Sequence, residues 1–260
     1  MDLDFPSSLS LNPHLSSEGW SWERFREPGF WVGRDGDGQR WLVKFRGGFC
    51  AVRERAFSIL AQALEISCQS STFLTVSNDC PPMQEIGSYD LCQSAIWLLD
   101  EHDHDNSCQS CPLLELDSVW NLNPWNVSVL RKSSVTNAID IARGEMLGML
   151  CEMCEPPGRL FTCNHRFVQI DNELMFAQGA GANLLQSDWV HEENNIKEDG
   201  LKEATILCES ILSLSEEIFD AAIRIPAGYR PQMTWCMKEQ IDAIRPRANM
   251  FLNYARLILG

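Results

Sequence analysis

The sequence predicts an α+β fold of two lobes, a small sheet-rich N-terminal lobe and a larger helical C-terminal lobe that face each other across a cleft. Three observations predict it. Residues 20–45 carry short apolar runs separated by a turn signal, most of the second half has helical periodicity, and a late hairpin at residues 159–171 interrupts that helical half. The organisation expected is a loose arm over 1–19, rich in Ser, Pro and Asn, an N-lobe over 20–100 and a C-lobe over 101–260. The late hairpin would lie in the cleft.

In order along the chain, Gly29–Gly33 and Arg40–Phe45 read as strands flanking Asp35-Gly36-Asp37-Gly38, a hairpin turn signal. Gly47-Gly48 breaks the pattern. A helix follows over about residues 50–65, with Phe57, Leu60, Ala61 and Leu64 on one face and Glu54 one turn before Phe57, at the edge of that face. Residues 71–76 and 90–99 are further strand candidates, and 100–111 a polar, acidic loop. The next helix, over about 135–153, is apolar nearly all round (Ile139, Ala142, Met146, Leu147, Leu150), the pattern of a buried helix. Pro156-Pro157-Gly158 stops it. Arg159–Thr162 and Arg166–Asp171 form the late hairpin, turning at Cys163-Asn164-His165, and 186–200 is a solvated acidic loop. From Leu201 onward two or three helices are expected, split at Pro226 and Pro231.

Composition excludes several classes. With 260 residues and 45% hydrophobic content, the chain can bury a sizeable core. A net charge of −15 is unsuited to nucleic acid, which is bound by neutralising phosphates with Lys and Arg, and equally unsuited to anionic membrane surfaces. No apolar run approaches the roughly 18 residues a membrane span needs. The acidic start Met1-Asp2-Leu3-Asp4 lacks the basic opening of a secretory signal, so a cytoplasmic protein is expected. The 11 cysteines lie largely in apolar stretches and read as buried thiols of a reducing compartment. There is no Gly-x-Ser-x-Gly elbow, and the histidines sit in turns and polar segments, so a nucleophile paired with histidine has little support.

Two charged residues close strand-like runs. Lys44 ends Arg40-Trp-Leu-Val-Lys44-Phe45, and Asp171 ends Arg166-Phe-Val-Gln-Ile-Asp171. An early-strand cation, a glutamate on the next helix and a late strand-end aspartate are the charges a phosphate cleft uses: Lys44 neutralises phosphate, Glu54 orients Lys44, and Asp171 holds Mg²⁺. Glu173 is a weaker second ligand candidate.

These segments resemble the HipA-like kinases and, more distantly, the phosphoinositide-kinase branch of the protein-kinase-like fold, over most of the chain after residue 20. Val43-Lys44-Phe45 is similar to the family's nucleotide-lysine strand, Arg53-Glu54-Arg55-Ala56-Phe57 to its acidic helix, Ala95–Asp100 to the hinge between lobes, and Ile170-Asp171 with Phe176 to its metal motif. The resemblance implies an ATP- and Mg²⁺-dependent kinase acting on a protein hydroxyl. The chain departs from the pattern at the catalytic loop. The family's base and second metal ligand lie about 18 and about 13 residues before the metal aspartate, which here are Met153 and Gly158. Glu152 or Glu155 would have to stand in as the base, with Glu155 the preferred candidate, and Asn164 or Asn172 as the second ligand. Gly29 and Gly33 are a weak substitute for a glycine-rich phosphate loop. The alternative is therefore a pseudokinase that holds nucleotide or a partner protein without transfer.

A second constellation, His102, His104, Cys108 and Cys111, supplies four zinc-type ligands, and Cys151/Cys154 another pair. Its order is not that of a standard zinc finger. An acidic loop with incidental thiols is the simpler reading, and Zn²⁺, if bound, would staple a loop. The C-terminal run Phe251–Leu259 reads as a last core helix, with docking of a partner as the alternative.

Overall fold

The computed structural model describes residues 14–25, 30–45, 48–76, 80–86, 93–97, 126–153, 158–161, 166–170, 172, 175–176, 198–225 and 231–260. The N-terminal part is built on a sheet. Strands β1 (His14–Ser16), β2 (Ser21–Arg24), β3 (Phe30–Arg34) and β4 (Arg40–Phe45) lead into helix α1 (Gly48–Ala63), followed by β5 (Ser71–Thr75), a short helix α2 (Pro81–Ile86) and β6 (Gln93–Trp97). The six strands take the order β1-β5-β6-β4-β3-β2. β1 runs parallel to β5, and every other pairing is antiparallel. Residues 14–16, expected in a loose arm, are thus an edge strand: Ser and His at this edge gain backbone partners from Phe73 to Thr75.

The Asp35–Gly38 turn forms as its residues require. Asp35 Oδ1 accepts from the backbone N–H of Asp37 (3.1 Å) and Gln39 (2.8 Å), and Gly38 takes φ +83°, which glycine adopts without a steric cost. Strand alternation then sorts β4 into two faces. Trp41, Val43 and Phe45 join Trp31, Leu74, Val76 and Cys80 in one apolar cluster, flanked by Trp20 and Trp22. Lys44 falls on the opposite face, the one covered by α1.

The C-terminal part comprises α3 (Val127–Leu130), α4 (Ile139–Leu150), the hairpin β7 (Gly158–Phe161) and β8 (Phe167–Ile170), then α5 (Glu198–Ser213), α6 (Glu216–Ile223), α7 (Pro231–Asp242) and α8 (Ile244–Leu259). The fold is two-lobed and protein-kinase-like, with a small sheet-rich N-lobe and a larger helical C-lobe. Helix α4 is shorter than its apolar run suggests. Asn137, just ahead of it, leaves the helical pattern to act as a strand partner: its Nδ2 donates to the Phe167 carbonyl (2.9 Å) and its Oδ1 accepts from the Phe167 N–H (2.7 Å). Among the described residues four helices follow from Glu198 onward, where two or three were expected from Leu201. Ser215 takes an extended conformation ahead of Glu216 and Glu217, a favourable helix start, and Pro246 lies in the first turn of α8, where its missing N–H is tolerated.

Among the described residues the largest apolar cluster draws on both parts of the chain. It joins Phe57 and Leu60 of α1 to Leu147 and Leu150 of α4, Leu207 of α5 and Phe251 of α8. Helix α1 therefore lies between the sheet and the helical body, and its position is set by both. Among the described residues no helix is long and apolar enough to cross a membrane.

Candidate functional site

Lys44 and Glu54 meet. Lys44 Nζ lies 3.1 Å from Glu54 Oε1, and the two side chains are only 5% and 4% exposed. Sheet alternation sends Lys44 off the α1 face of β4, and helical periodicity places Glu54 one turn before Phe57, so each residue's local pattern aims it at the other. Burying two charges is tolerated only when they are paired, and this pair is.

The hairpin strand β8 is stitched to the stretch that follows α1. Gln69 N–H donates to the Gln169 carbonyl (2.9 Å), and Gln169 N–H donates to the Ser67 carbonyl (3.0 Å), forming a parallel bridge at Cys68. Ser67 N–H in turn donates to Asp140 Oδ2 (3.1 Å), the same oxygen that accepts from Asn137 Nδ2 (2.9 Å). Burial raises the Asp140 carboxyl above its ordinary value, against the opposing pull of Asn137, the Ser67 N–H and the charges of Arg143 and Arg166.

Asn172 completes the connection. Its Nδ2 donates to Cys68 Sγ (3.3 Å), and its Oδ1 accepts from Gln169 Nε2 (2.9 Å). Cys68 also feels the Glu54 carboxylate: burial first and that charge second push its thiol far above the usual range, with the Asn172 bond acting the other way. The residue after Asp171 is thus anchored to the N-lobe stretch beside the Lys44–Glu54 pair. Gly144 of α4 leaves room for this packing, since a Cβ there would force the Gln169 side-chain amide to shift.

Asp171, Glu155 and Glu173 lie outside the described residues, as do the zinc-type candidates His102, His104, Cys108, Cys111 and Cys154, and Asn164. Among the described residues no group of three or more His, Cys, Asp or Glu could hold a metal ion. Glu152, the other stand-in for the base, is committed elsewhere. It sits at φ +52°, buried, with its Oε1 2.6 Å from Arg247 Nη2, and Arg247 Nη1 donates to the Leu150 carbonyl at 2.7 Å. The Asn172 amide is likewise engaged at both ends, which makes it a tether.

Sequence reasoning missed Gln169, Asn137, Asp140, Arg247 and Arg55, and named Asn172 only as a candidate metal ligand and not as a tether. For Arg55 a signal existed: Val52, Ala56 and Ile59 form a second apolar stripe on α1 that brackets it, so a helix buried on both sides had to take Arg55 inside.

A lysine on the third strand of the antiparallel meander thus faces a glutamate on the following helix, within a fold that is protein-kinase-like. The comparison with solved structures agrees. The chain is similar to CtkA, a proinflammatory kinase of Helicobacter pylori, with a TM-score of 0.56 at 11% identity over 95% of this chain and 99% of that one. It also matches the open conformation of CtTel1 (TM-score 0.34, 10% identity, 92% of this chain and 12% of that one) and an aminoglycoside phosphotransferase from Alicyclobacillus acidocaldarius (0.29, 13%, 91% and 92%), at scores too low to bear on the fold. No family model matches the chain, and no curated protein matches it in sequence.

Proposed function

We propose that this chain is a HipA-like, ATP-dependent kinase that phosphorylates a protein hydroxyl in the cytoplasm. The observation that carries the reading is the dry Lys44–Glu54 contact, 3.1 Å between a strand and a helix. Lys44 presents a compact cation to phosphate oxygens, and Glu54 holds it in place. Asp171, the residue that follows β8 in the sequence, is the proposed Mg²⁺ position, and Glu155 the proposed base. Mg-ATP, when bound, supplies the transferable phosphoryl group. The tether through Asn172 to Cys68 supports a cleft between an N-lobe of residues 20–100 and a C-lobe of residues 101–260, with β8 at its edge. The net charge of −15 favours a protein partner over nucleic acid or an anionic membrane.

A second reading, a pseudokinase that binds nucleotide or a partner without transfer, is favoured by one observation. Near the position where spacing calls for the base, Glu152 is locked to Arg247.

Thermal melting with and without Mg-ATP tests the shared part of both readings. At ligand 100-fold above Kd, binding adds roughly 2.7 kcal/mol, a shift of roughly 5 °C or more for a chain of this size. The shift is expected in wild type and lost in Asp171→Ala and Lys44→Ala. No shift in wild type would sink both readings. Transfer of labelled phosphate to a protein acceptor, with Lys44→Ala as the blank, then separates kinase from pseudokinase.

A further inference from the structure

Arg55, the residue after Glu54, is 1% exposed. Its Nη1 donates to the Ala221 carbonyl at 2.9 Å, and its guanidinium lies 5.3 Å from the centroid of the Phe73 ring in β5. Ala221 is near the C-terminus of α6, and its carbonyl also accepts from Arg224 N–H at 3.3 Å. Arg55 therefore meets one of the last carbonyls of a helix whose dipole favours a cation at that end. An eight-residue helix has little stability of its own, yet α6 is held at its other end too. Arg245 of α8 pairs with Glu216, and its guanidinium sits 4.2 Å from the Phe219 ring centroid. The anchor that Arg55 reaches is thus fixed to the helical body.

Adjacent residues on a helix point about 100° apart. Glu54 is fastened to β4 and Arg55 to α6, while Ser58, one turn on, accepts from the Ser71 N–H of β5 at 3.2 Å. These three contacts fix both the rotation of α1 and its distance from the sheet. A lysine–glutamate pair of this kind works only while its helix stays in place.

We propose that Arg55 is a positioning residue: by latching α1 to α6 it keeps Glu54 turned toward Lys44. The proposal deepens the nucleotide-site reading and rests on it for its functional meaning, though not for its structural test. Burial, and secondarily the charge of Arg224, lower the Arg55 guanidinium to about 10, which leaves it a cation near neutral pH.

The test reads the pair directly, without nucleotide. Lysines of the full chain are acetylated with a water-soluble active ester at a temperature well below each variant's melting point, and the rate at Lys44 is followed by mass spectrometry against exposed Lys202 and Lys238. Arg55→Met is expected to raise the Lys44 rate by roughly tenfold, as local opening of α1 uncovers the amine. Arg247→Met, which removes a buried cation outside α1 and weakens the whole fold, is the comparator and is expected to raise that rate much less than Arg55→Met does. Should Arg55→Met not fold, Arg55→Gln, uncharged and too short to reach Ala221, is expected to show a smaller rise of the same kind. Wild-type protection of Lys44 in the folded Arg55 variant overturns the proposal, and so does equal exposure in Arg247→Met. Mg-ATP titration of the same proteins separates the two readings. If wild type binds no Mg-ATP, the nucleotide site fails while the Lys44 rates still judge the latch. If wild type binds and Arg55→Met binds roughly tenfold more weakly at full folding, the latch serves the site.

Discussion

Lys44–Glu54 and Glu152–Arg247 are both nearly dry ion pairs, and they are built in opposite ways. The first joins side chain to side chain across 3.1 Å, from β4 to α1. The second is tied into the backbone. One arm of the Arg247 fork faces Glu152 at 2.6 Å, the other meets the Leu150 carbonyl at the end of α4, and Glu152 itself holds a left-handed conformation. A guanidinium so placed serves the packing of α8 on α4. A lysine ammonium is a point charge with rotatable donors and can turn toward an incoming phosphate. A buried ion pair is weak evidence for stability in itself, so the two are told apart by what their removal does.

The largest effect belongs to Arg247. Its replacement by alanine removes the cation facing buried Glu152 and the donor to the Leu150 carbonyl, and is expected to cost about 3–5 kcal/mol in denaturant unfolding. A loss below about 1 kcal/mol would erase the contrast between the two pairs. The next effect is a dissociation of stability from binding. The double variant Lys44→Met, Glu54→Leu substitutes apolar groups of similar size, and it should stay within about 1 kcal/mol of wild type or exceed it, while its Mg-ATP melting shift disappears. Collapse of that variant at the level of Arg247→Ala would make Lys44–Glu54 a structural pair and remove the observation on which the proposed function stands.

The same contrast accounts for what was legible in the sequence. Lys44 and Glu54 were readable because each obeys a local rule: strand alternation for one, helix-face spacing for the other. The sheet hairpin was readable because Asp35 to Gly38 carries its own turn chemistry. Glu152–Arg247 was not, since its partners are 95 residues apart in a chain where no periodicity links α4 to α8. The tethers through Asn137, Gln169 and Asn172 escaped for the same reason. The Asn137 side chain takes the place of a backbone partner for Phe167, and the Asn172 side chain reaches Cys68 across 104 residues, and nothing near either in sequence announces the fact. The count of late helices failed where proline was taken as the sole breaker, whereas α5 gives way to α6 at Leu214-Ser215 and α7 to α8 at Ala243 without it.

A third buried pair sharpens the comparison with the smallest expected effect. Glu145 of α4 and Arg159 of β7 approach to 2.7 Å, with side chains 4% and 12% exposed. Burial still raises the Glu145 carboxyl above its ordinary value, outweighing the hydrogen bond and charge of Arg159. The folded state therefore holds the Glu145 proton more tightly than the unfolded chain, whose value is about 4.3. The stability this group contributes is full below that value and is lost as pH rises through the folded one. Glu145→Gln cannot titrate, so its stability relative to wild type should rise between pH 4 and pH 7, by about 1.4 kcal/mol for every tenfold by which folding tightens the hold on that proton. Denaturant midpoints at the two pH values measure it. A relative stability that falls instead would mean that Arg159 outweighs burial, and Glu145–Arg159 would then join Glu152–Arg247 as a pair whose attraction holds the C-lobe together.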